Sequence, residues 1–323
     1  MIKDHRIFIT GGMGFVGTNL CARLLEHNQV TVFDSGWRRA LDFAPWSRHP
    51  NLEVVTGDIL DLDHLRRVVP GHSMVIHLAA IAGVDTVISR PFTTLQVNLI
   101  GTYNLVQAID GQELARFACF STSEVYGPSV FRADEEGMST LGPNSQPRWQ
   151  YALSKLASEF ITLAYHREHG LPAVVIRPFN VYGPYQVGEG AVRNFVFRAL
   201  RGQELIVHGR GEEIRSWCYI DDFIDGLLAC LESDRAVGQT FNLGNPQATS
   251  TNLALAEEVL RVTGSQAQIV FKEIAYPEIE LRVPSIEKAR QVFGYQPRVN
   301  LRQGLEKYVA WCREHPEVWQ EEA

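Results

Sequence analysis

The sequence predicts a doubly wound α/β fold, a parallel sheet with helices on both faces, joined to a smaller C-terminal mixed α/β lobe. Three observations carry that expectation. Strand-like and helix-like runs alternate over about 180 residues. The first strand passes through a glycine-rich turn directly into a helix. The fourth, Met74-Val75-Ile76-His77-Leu78-Ala79-Ala80, is apolar throughout, as a strand buried on both faces should be.

Arg6 to Thr10 is the first strand, and Gly11-Gly12-Met13-Gly14-Phe15-Val16-Gly17 leads into a helix-like run from Thr18 to His27. Strand, glycine turn and helix open a dinucleotide-binding unit of Rossmann type. Gly11 permits the tight turn, Gly14 lets backbone amides approach a pyrophosphate, and Gly17 lets the helix sit close to the sheet. Phe15 and Val16, between them, are counted with the cofactor contacts. The spacing is G-x-x-G-x-x-G rather than the commoner G-x-G-x-x-G. The second strand, Gln29 to Phe33, ends at Asp34, whose carboxylate suits the ribose diol of NAD and repels the 2′-phosphate of NADP. No role is assigned to the loop from Ser35 to His49, which holds Trp37, Arg38, Arg39 and Trp46.

The third strand, Leu52 to Val55, leads to Gly57-Asp58-Ile59. Asp58 can accept from the adenine amino group or cap the helix that follows, where Asp61 and Asp63 also stand. His77 reads as a satisfied core histidine. Leu78, Ala79 and Ala80 let a cofactor lie against the strand end, and Asn98 sits inside a long helix expected over about 92–109. Ala118 to Thr122 is the fifth strand and runs into Ser123-Glu124-Val125-Tyr126-Gly127. A Pro/Gly/Asn-rich loop over 137–148 precedes a helix with Tyr151 and Lys155, and Ala173 to Ile176 is the sixth strand. Beyond Asn180 the pattern changes. A helix with Arg193 and Asn194 is expected after Gly188-Glu189-Gly190, and a short strand over 205–209. Segments 217–220 and 240–244 bracket a helix over 222–231. Two tail helices are expected at about 252–263 and 301–315.

Bulk properties narrow the function. With 323 residues, 45% hydrophobic and 21% charged, the chain can bury a full core. A net charge of −7 argues against a nucleic-acid or membrane-surface protein. No apolar run approaches the ~18 residues of a membrane span, and Met1 runs almost directly into a strand without a leader. The five cysteines have neither metal-ligand nor disulfide spacing. They read as buried thiols of a cytoplasmic protein, and no metal site is expected.

Tyr151-Ala152-Leu153-Ser154-Lys155 carries the chemistry. A tyrosine four residues ahead of a lysine shares its helical face. An ammonium beside a phenol lowers a pKa that is normally about 10, making a base for an alcohol near neutral pH. The pairing alone is also that of a surface tyrosine beside a solvated lysine.

The ordered set TGGMGFVG, Asp34, GDI, HLAA, STSEVYG, YALSK and RPFNVYGP resembles the extended short-chain dehydrogenase/reductase family, specifically its sugar-nucleotide epimerases, dehydratases and decarboxylases. The likeness covers essentially the whole chain. It implies NAD as cofactor, Tyr151 as base, Lys155 on the nicotinamide ribose and lowering the phenol's pKa, and Thr122 on the reacting hydroxyl. It also implies a nucleoside diphosphate held by the C-terminal lobe, with Asn180, Arg193, Asn194 and Arg215 at the contact positions. Arginine suits phosphate because its planar fork bonds two oxygens at once. Arg193 also reads as a solvated helix residue. The expected division is a cofactor domain over 1–179, with a return contribution from about 217–244, and a nucleotide-sugar lobe from 180–216 and 245–323.

All branches of this group oxidise C4 of the sugar first. Simple 4-epimerases mostly carry a small residue where this chain has Glu124. Decarboxylases and 4,6-dehydratases carry a carboxylate, and many hexose dehydratases place an aspartate where this chain has Ser123. The loop 142–149, containing Arg148 and Trp149, is similar to that of UDP-glucuronate decarboxylases of the lipid A-modifying type. Leu281-Arg282-Val283-Pro284-Ser285-Ile286 resembles their Arg-Lys-Pro segment, with Val283 in place of the lysine. Arg282 would then face the sugar carboxylate or deliver a proton to C5. The resemblance thus implies a UDP-glucuronate decarboxylase, with a nucleotide-sugar 4-epimerase or 4,6-dehydratase as the alternatives. Gly83-Val84-Asp85-Thr86-Val87 is closer to some epimerases. Glu124 also reads as a strand-end carboxylate bonded to amides, and Arg282 as an ion pair with Glu278 or Glu280. A dinucleotide-binding sensor commonly lacks the tyrosine or the lysine, and both are present. Family likeness also implies a homodimer through the helices near 92–109 and 151–168.

Overall fold

The structure, a computed structural model, describes residues 1–273 and 279–320. Its centre is a seven-stranded sheet ordered Gln239–Leu243, Ala173–Pro178, Arg116–Phe120, Met74–His77, Arg6–Thr10, Gln29–Asp34, Leu52–Thr56. Every pairing in it is parallel, so the expected doubly wound architecture forms. Arg6–Thr10 shows why its centre, Ile7-Phe8-Ile9, is uniformly apolar. Ile7 and Ile9 enter one core cluster and Phe8 the other, because successive side chains point to opposite faces and both faces are covered. The chain winds outward from this strand to Leu52–Thr56, then crosses back to Met74–His77. A crevice therefore opens at the carboxyl ends of these strands, where the order reverses.

Helix Phe15–Leu24 starts earlier than the apolar periodicity indicates, because the glycine turn itself forms the helix entry, with Gly14 as N-cap. Gly11 has φ +71°, and a Cβ there would lie 2.6 Å from the Ala79 nitrogen. Only glycine lets the two strand ends approach this closely.

The single helix expected over 92–109 is instead Pro91–Leu95, a π-helical turn Gln96–Ile100, and Gly101–Ala108. Asn98 is central to the irregularity. Its backbone carbonyl accepts from Thr102 Oγ1 at 2.7 Å and from Ser158 Oγ at 3.1 Å. The Ser158 bond pins the turn to helix Trp149–His169, which ends at left-handed Gly170.

A second sheet joins Thr249–Thr251, Ile214–Ser216, Leu281–Pro284 and Ser129–Ala133 in that order. Ser129–Ala133 is contributed from between the fifth strand of the main sheet and helix Trp149–His169. It pairs in parallel with Leu281–Pro284, so a late segment is anchored beside the residues that follow Thr122. Two further two-stranded pairs, Val181–Tyr182 with Cys218–Tyr219 and Leu205–His208 with Ile269–Lys272, complete the C-terminal part. Among the described residues, no helix is long and apolar enough to cross a membrane.

Candidate active site

The crevice holds a cavity of about 470 Å³. Gly11, Gly14, Phe15, Val16, Gly17, Asp34, Asp58, Ile59, Leu78, Ala79, Ala80, Tyr151 and Lys155 all line it. Helix Phe15–Leu24 presents its first amides there without a capping side chain, an arrangement suited to an anion. Asp34 Oδ2 accepts from Met13 N at 3.1 Å and Oδ1 from Gly36 N at 2.8 Å. Burial raises its pKa, and these amides oppose the rise. Asp58 lines the cavity and accepts from Leu60 N at 2.9 Å. The helix cap is Asp61, which accepts from His64 N, so the capping alternative for Asp58 is settled against.

Asn98 corrects an expectation. It does not line the cavity. Its Oδ1 accepts from Ile81 N at 2.7 Å, and its Nδ2 donates to Ile81 O at 3.1 Å and Ser154 Oγ at 3.0 Å. It braces the wall behind the cofactor site. His77 is the satisfied core histidine expected, between Thr10 Oγ1 at 2.7 Å and Thr102 Oγ1 at 2.9 Å, its pKa lowered to about 3 by burial.

The structure brings Tyr151 and Thr122 together: the Thr122 side chain acts on the Tyr151 phenol and opposes the rise in its pKa. Here too the structure departs from expectation. Burial, and then the Glu124 carboxylate, raise the phenol's pKa, and Lys155 is not among the groups that lower it. Lys155 is 1% exposed, and its Nζ has no hydrogen-bond partner among the described residues. Burial depresses its pKa, with Cys119 and Glu159 opposing. A buried, orphaned ammonium on the cavity wall is a strong signature of an absent polar partner. The residues therefore fit NAD: the glycine turn for its pyrophosphate, Asp34 for one ribose and Lys155 for the hydroxyls of the other.

Next to Tyr151 lies a smaller cavity of about 70 Å³, lined by Gly83, Val84, Val87, Glu124, Arg148 and Tyr151. Glu124 Oε1 is 3.7 Å from Arg148 Nη2 and 3.7 Å from Arg282 Nη1. Both arginines are buried, and Arg148 also stacks over Trp149. Arg282 Nη2 donates to Gly127 O at 3.4 Å, while its Nε has no hydrogen-bond partner among the described residues. Burial depresses the Arg282 pKa and Glu124 opposes that. The ion pair of Arg282 is thus with Glu124. Glu278, one of the two partners expected from the sequence, lies outside the described residues.

The other substrate candidates are more dispersed. Ser123 is buried at the start of the turn Ser123–Tyr126. Asn180, at φ +38°, spends its amide on Ser216 O at 3.0 Å. Arg193 is buried, not solvated: its Nε donates to Gln186 O at 3.0 Å, and its guanidinium covers Phe197. Asn194 is exposed on the same helix and lines neither cavity. Arg215 stands opposite Arg282 in parallel register and donates to Ile214 O and Ile279 O.

Sequence reasoning missed Trp37, Arg38, Gln186 and Glu189, all of which line the large cavity. They come from loops without periodicity, and only the fold brings them to one rim.

A family model described as "NAD dependent epimerase/dehydratase family" matches residues 7–244. A UDP-N-acetyl-alpha-D-glucosaminuronate decarboxylase of Bacillus cytotoxicus is 32% identical, over 96% of this chain and 98% of that protein. A dTDP-glucose 4,6-dehydratase of Streptomyces niveus is 35% identical, over 98% and 95%. The crystal structure of a UDP-glucuronic acid 4-epimerase from Bacillus cereus, in complex with UDP-glucuronic acid and NAD, superposes with a TM-score of 0.88. It is 27% identical and covers 96% of this chain and 99% of that one.

Proposed function

The chain belongs to the NAD dependent epimerase/dehydratase family, an NAD-using group of sugar-nucleotide enzymes, and we propose that it oxidises a UDP-hexuronate, UDP-glucuronate above all, at C4 and decarboxylates it. One observation carries this reading: the Glu124 carboxylate, on the wall of the small cavity beside Tyr151, lies 3.7 Å from each of two buried guanidiniums, Arg148 and Arg282. Guanidiniums gathered beside the sugar pocket suit a substrate carboxylate, because their planar fork can bond both of its oxygens. The relative named for a UDP-linked uronate decarboxylase and the solved uronate epimerase point to the same substrate class.

When bound, NAD supplies a hydride acceptor at the sugar carbinol. Tyr151 takes the hydroxyl proton, Thr122 holds the same oxygen, and Lys155 grips the nicotinamide ribose. Bound NAD would supply a cationic nicotinamide ring near the phenol, held through Lys155 on its ribose, and that charge would oppose the rise imposed by burial and Glu124. A 4-keto hexuronate is a β-keto acid, so its ketone accepts the electron pair left when CO2 departs. Arg282 steadies the departing carboxylate, and the proton for C5 comes from the Glu124–Arg282 side of the pocket. Residues 1–179 and 217–244 hold the cofactor in this reading, and 180–216 and 245–323 the nucleotide. Ser123, Asn180, Arg193, Asn194 and Arg215 form its polar surroundings.

The chain is read as a cytoplasmic homodimer. All five cysteines are buried and unpaired, and Phe92, Ile100, Tyr103, Leu153 and Phe160 stand exposed on the two helical segments expected to pair. The decisive experiment is incubation with a panel of nucleotide sugars under NAD, followed by mass. Loss of CO2 from UDP-glucuronate supports the reading. Loss of water would mean dehydration, and unchanged mass with inverted C4 would mean epimerisation, which the sequence of residues 83–87 favours as the second reading.

A further inference from the structure

The wall shared by the two cavities is held from an unexpected direction. Helix Val84–Ser89 follows the fourth strand of the main sheet, and its N-cap, Gly83, offers no side chain. The cap comes instead from Glu189, more than 100 residues later, in the turn before helix Ala191–Leu200. Glu189 Oε2 accepts from Asp85 N at 2.9 Å, and Oε1 accepts from Thr86 N at 3.0 Å and Thr86 Oγ1 at 2.7 Å. Gly83 has φ +106°, and a Cβ there would meet the Glu189 carboxyl carbon at 2.7 Å, so the chain is built to admit that carboxylate.

The same segment is also gripped by Arg38, which packs against Gly188, beside Glu189. Arg38 Nη2 donates to Ala82 O at 2.9 Å, and the guanidiniums of Arg38 and Arg90 lie 5.6 and 5.9 Å from the centre of the Trp37 ring. Glu189, Arg38, Trp37 and Ala82 line the cofactor cavity, while Gly83, Val84 and Val87 line the smaller one beside Tyr151 and Glu124.

We infer that Glu189 is a positioning residue: by capping Val84–Ser89 across the mouth of the crevice, it clasps the bound dinucleotide and sets the wall of the sugar pocket. Neither the sugar nor the reaction proposed above enters the cofactor half of this inference, so its test stands apart from theirs.

The test is NADH dissociation without sugar, followed by fluorescence after mixing the NADH complex with excess NAD. Loss of a helix cap corresponds to roughly three- to thirtyfold, so Glu189→Ala should release NADH faster by that factor. Glu189→Gln keeps one accepting oxygen and should fall between parent and Ala. Thr86→Val alone should accelerate release about two- to threefold, and should add nothing in the Glu189→Ala background, since both remove one contact. Release within about twofold of the parent in folded Glu189→Ala overturns the inference, as does full additivity of the two substitutions. If Glu189→Ala does not fold, Thr86→Val decides: an unchanged rate overturns the clasp. In the sugar arm, Glu189→Ala should raise KM more than it lowers kcat.

Discussion

Glu124 raises the proton affinity of the Tyr151 phenol across a small cavity that both side chains line. The same carboxylate lies 3.7 Å from Arg282. One side chain thus couples the base of the oxidation to the cation assigned to the later step.

That coupling has a sign. A nearby carboxylate disfavours the phenolate, so removing its charge should lower the Tyr151 pKa. Glu124→Gln should therefore shift the acid limb of C4 oxidation to lower pH, read from NADH formation in a single turnover at a series of pH values. Decarboxylation should slow at every pH. A limb that moves to higher pH would contradict the arrangement.

Tyr151→Phe removes the base and leaves the glycine turn, Asp34 and Lys155 in place. NAD binding, measured by calorimetry, should persist, while turnover falls by at least about 100-fold. Normal turnover would reassign the base.

The doubly wound sheet and the cofactor wall were legible because they rest on local signals: apolar runs of strand length, glycines at a turn, and a carboxylate at the second strand's end. The less legible parts depend on long-range geometry. Ser129–Ala133 is held by backbone pairing with Leu281–Pro284, and its exposed Phe131 gives no buried alternation to read. Glu189 acts on Thr86, more than 100 residues away, through backbone amides that carry no sequence signature. Tyr151 and Lys155 were found by spacing, yet spacing could not weigh the burial that raises one pKa and depresses the other.

Arg282→Ala should slow the decarboxylation far more than C4 oxidation, because in the oxidation its guanidinium only helps to lower the Tyr151 pKa. Arg148 remains beside Glu124, so the carboxylate is not stranded. The 4-keto uronate should accumulate with CO2 release slowed roughly 100-fold, measured by mass spectrometry of quenched reactions. Release of CO2 at the parental rate would remove Arg282 from the chemistry.

Lys155 gives a prediction of opposite sign in the two states. Its Nζ is buried with no hydrogen-bond partner among the described residues, a cost to folding. Lys155→Met should stabilise the cofactor-free protein by about 1–2 kcal/mol in urea titration, and should shrink the protection conferred by NAD. A variant less stable than its parent without cofactor would show that the ammonium has a partner there.

Asn98 separates bracing from contact. Its side chain makes three hydrogen bonds, two of them to the backbone of Ile81, a residue that lines the cofactor cavity. Asn98→Ala strands those buried groups and should cost about 2–4 kcal/mol, measured from the urea midpoint at constant slope. The NAD affinity of the folded variant should fall less than in Asp34→Ala, because Asp34 lines the cavity and Asn98 stands behind it. An affinity loss exceeding that of Asp34→Ala, with stability unchanged, would return Asn98 to the cofactor contacts.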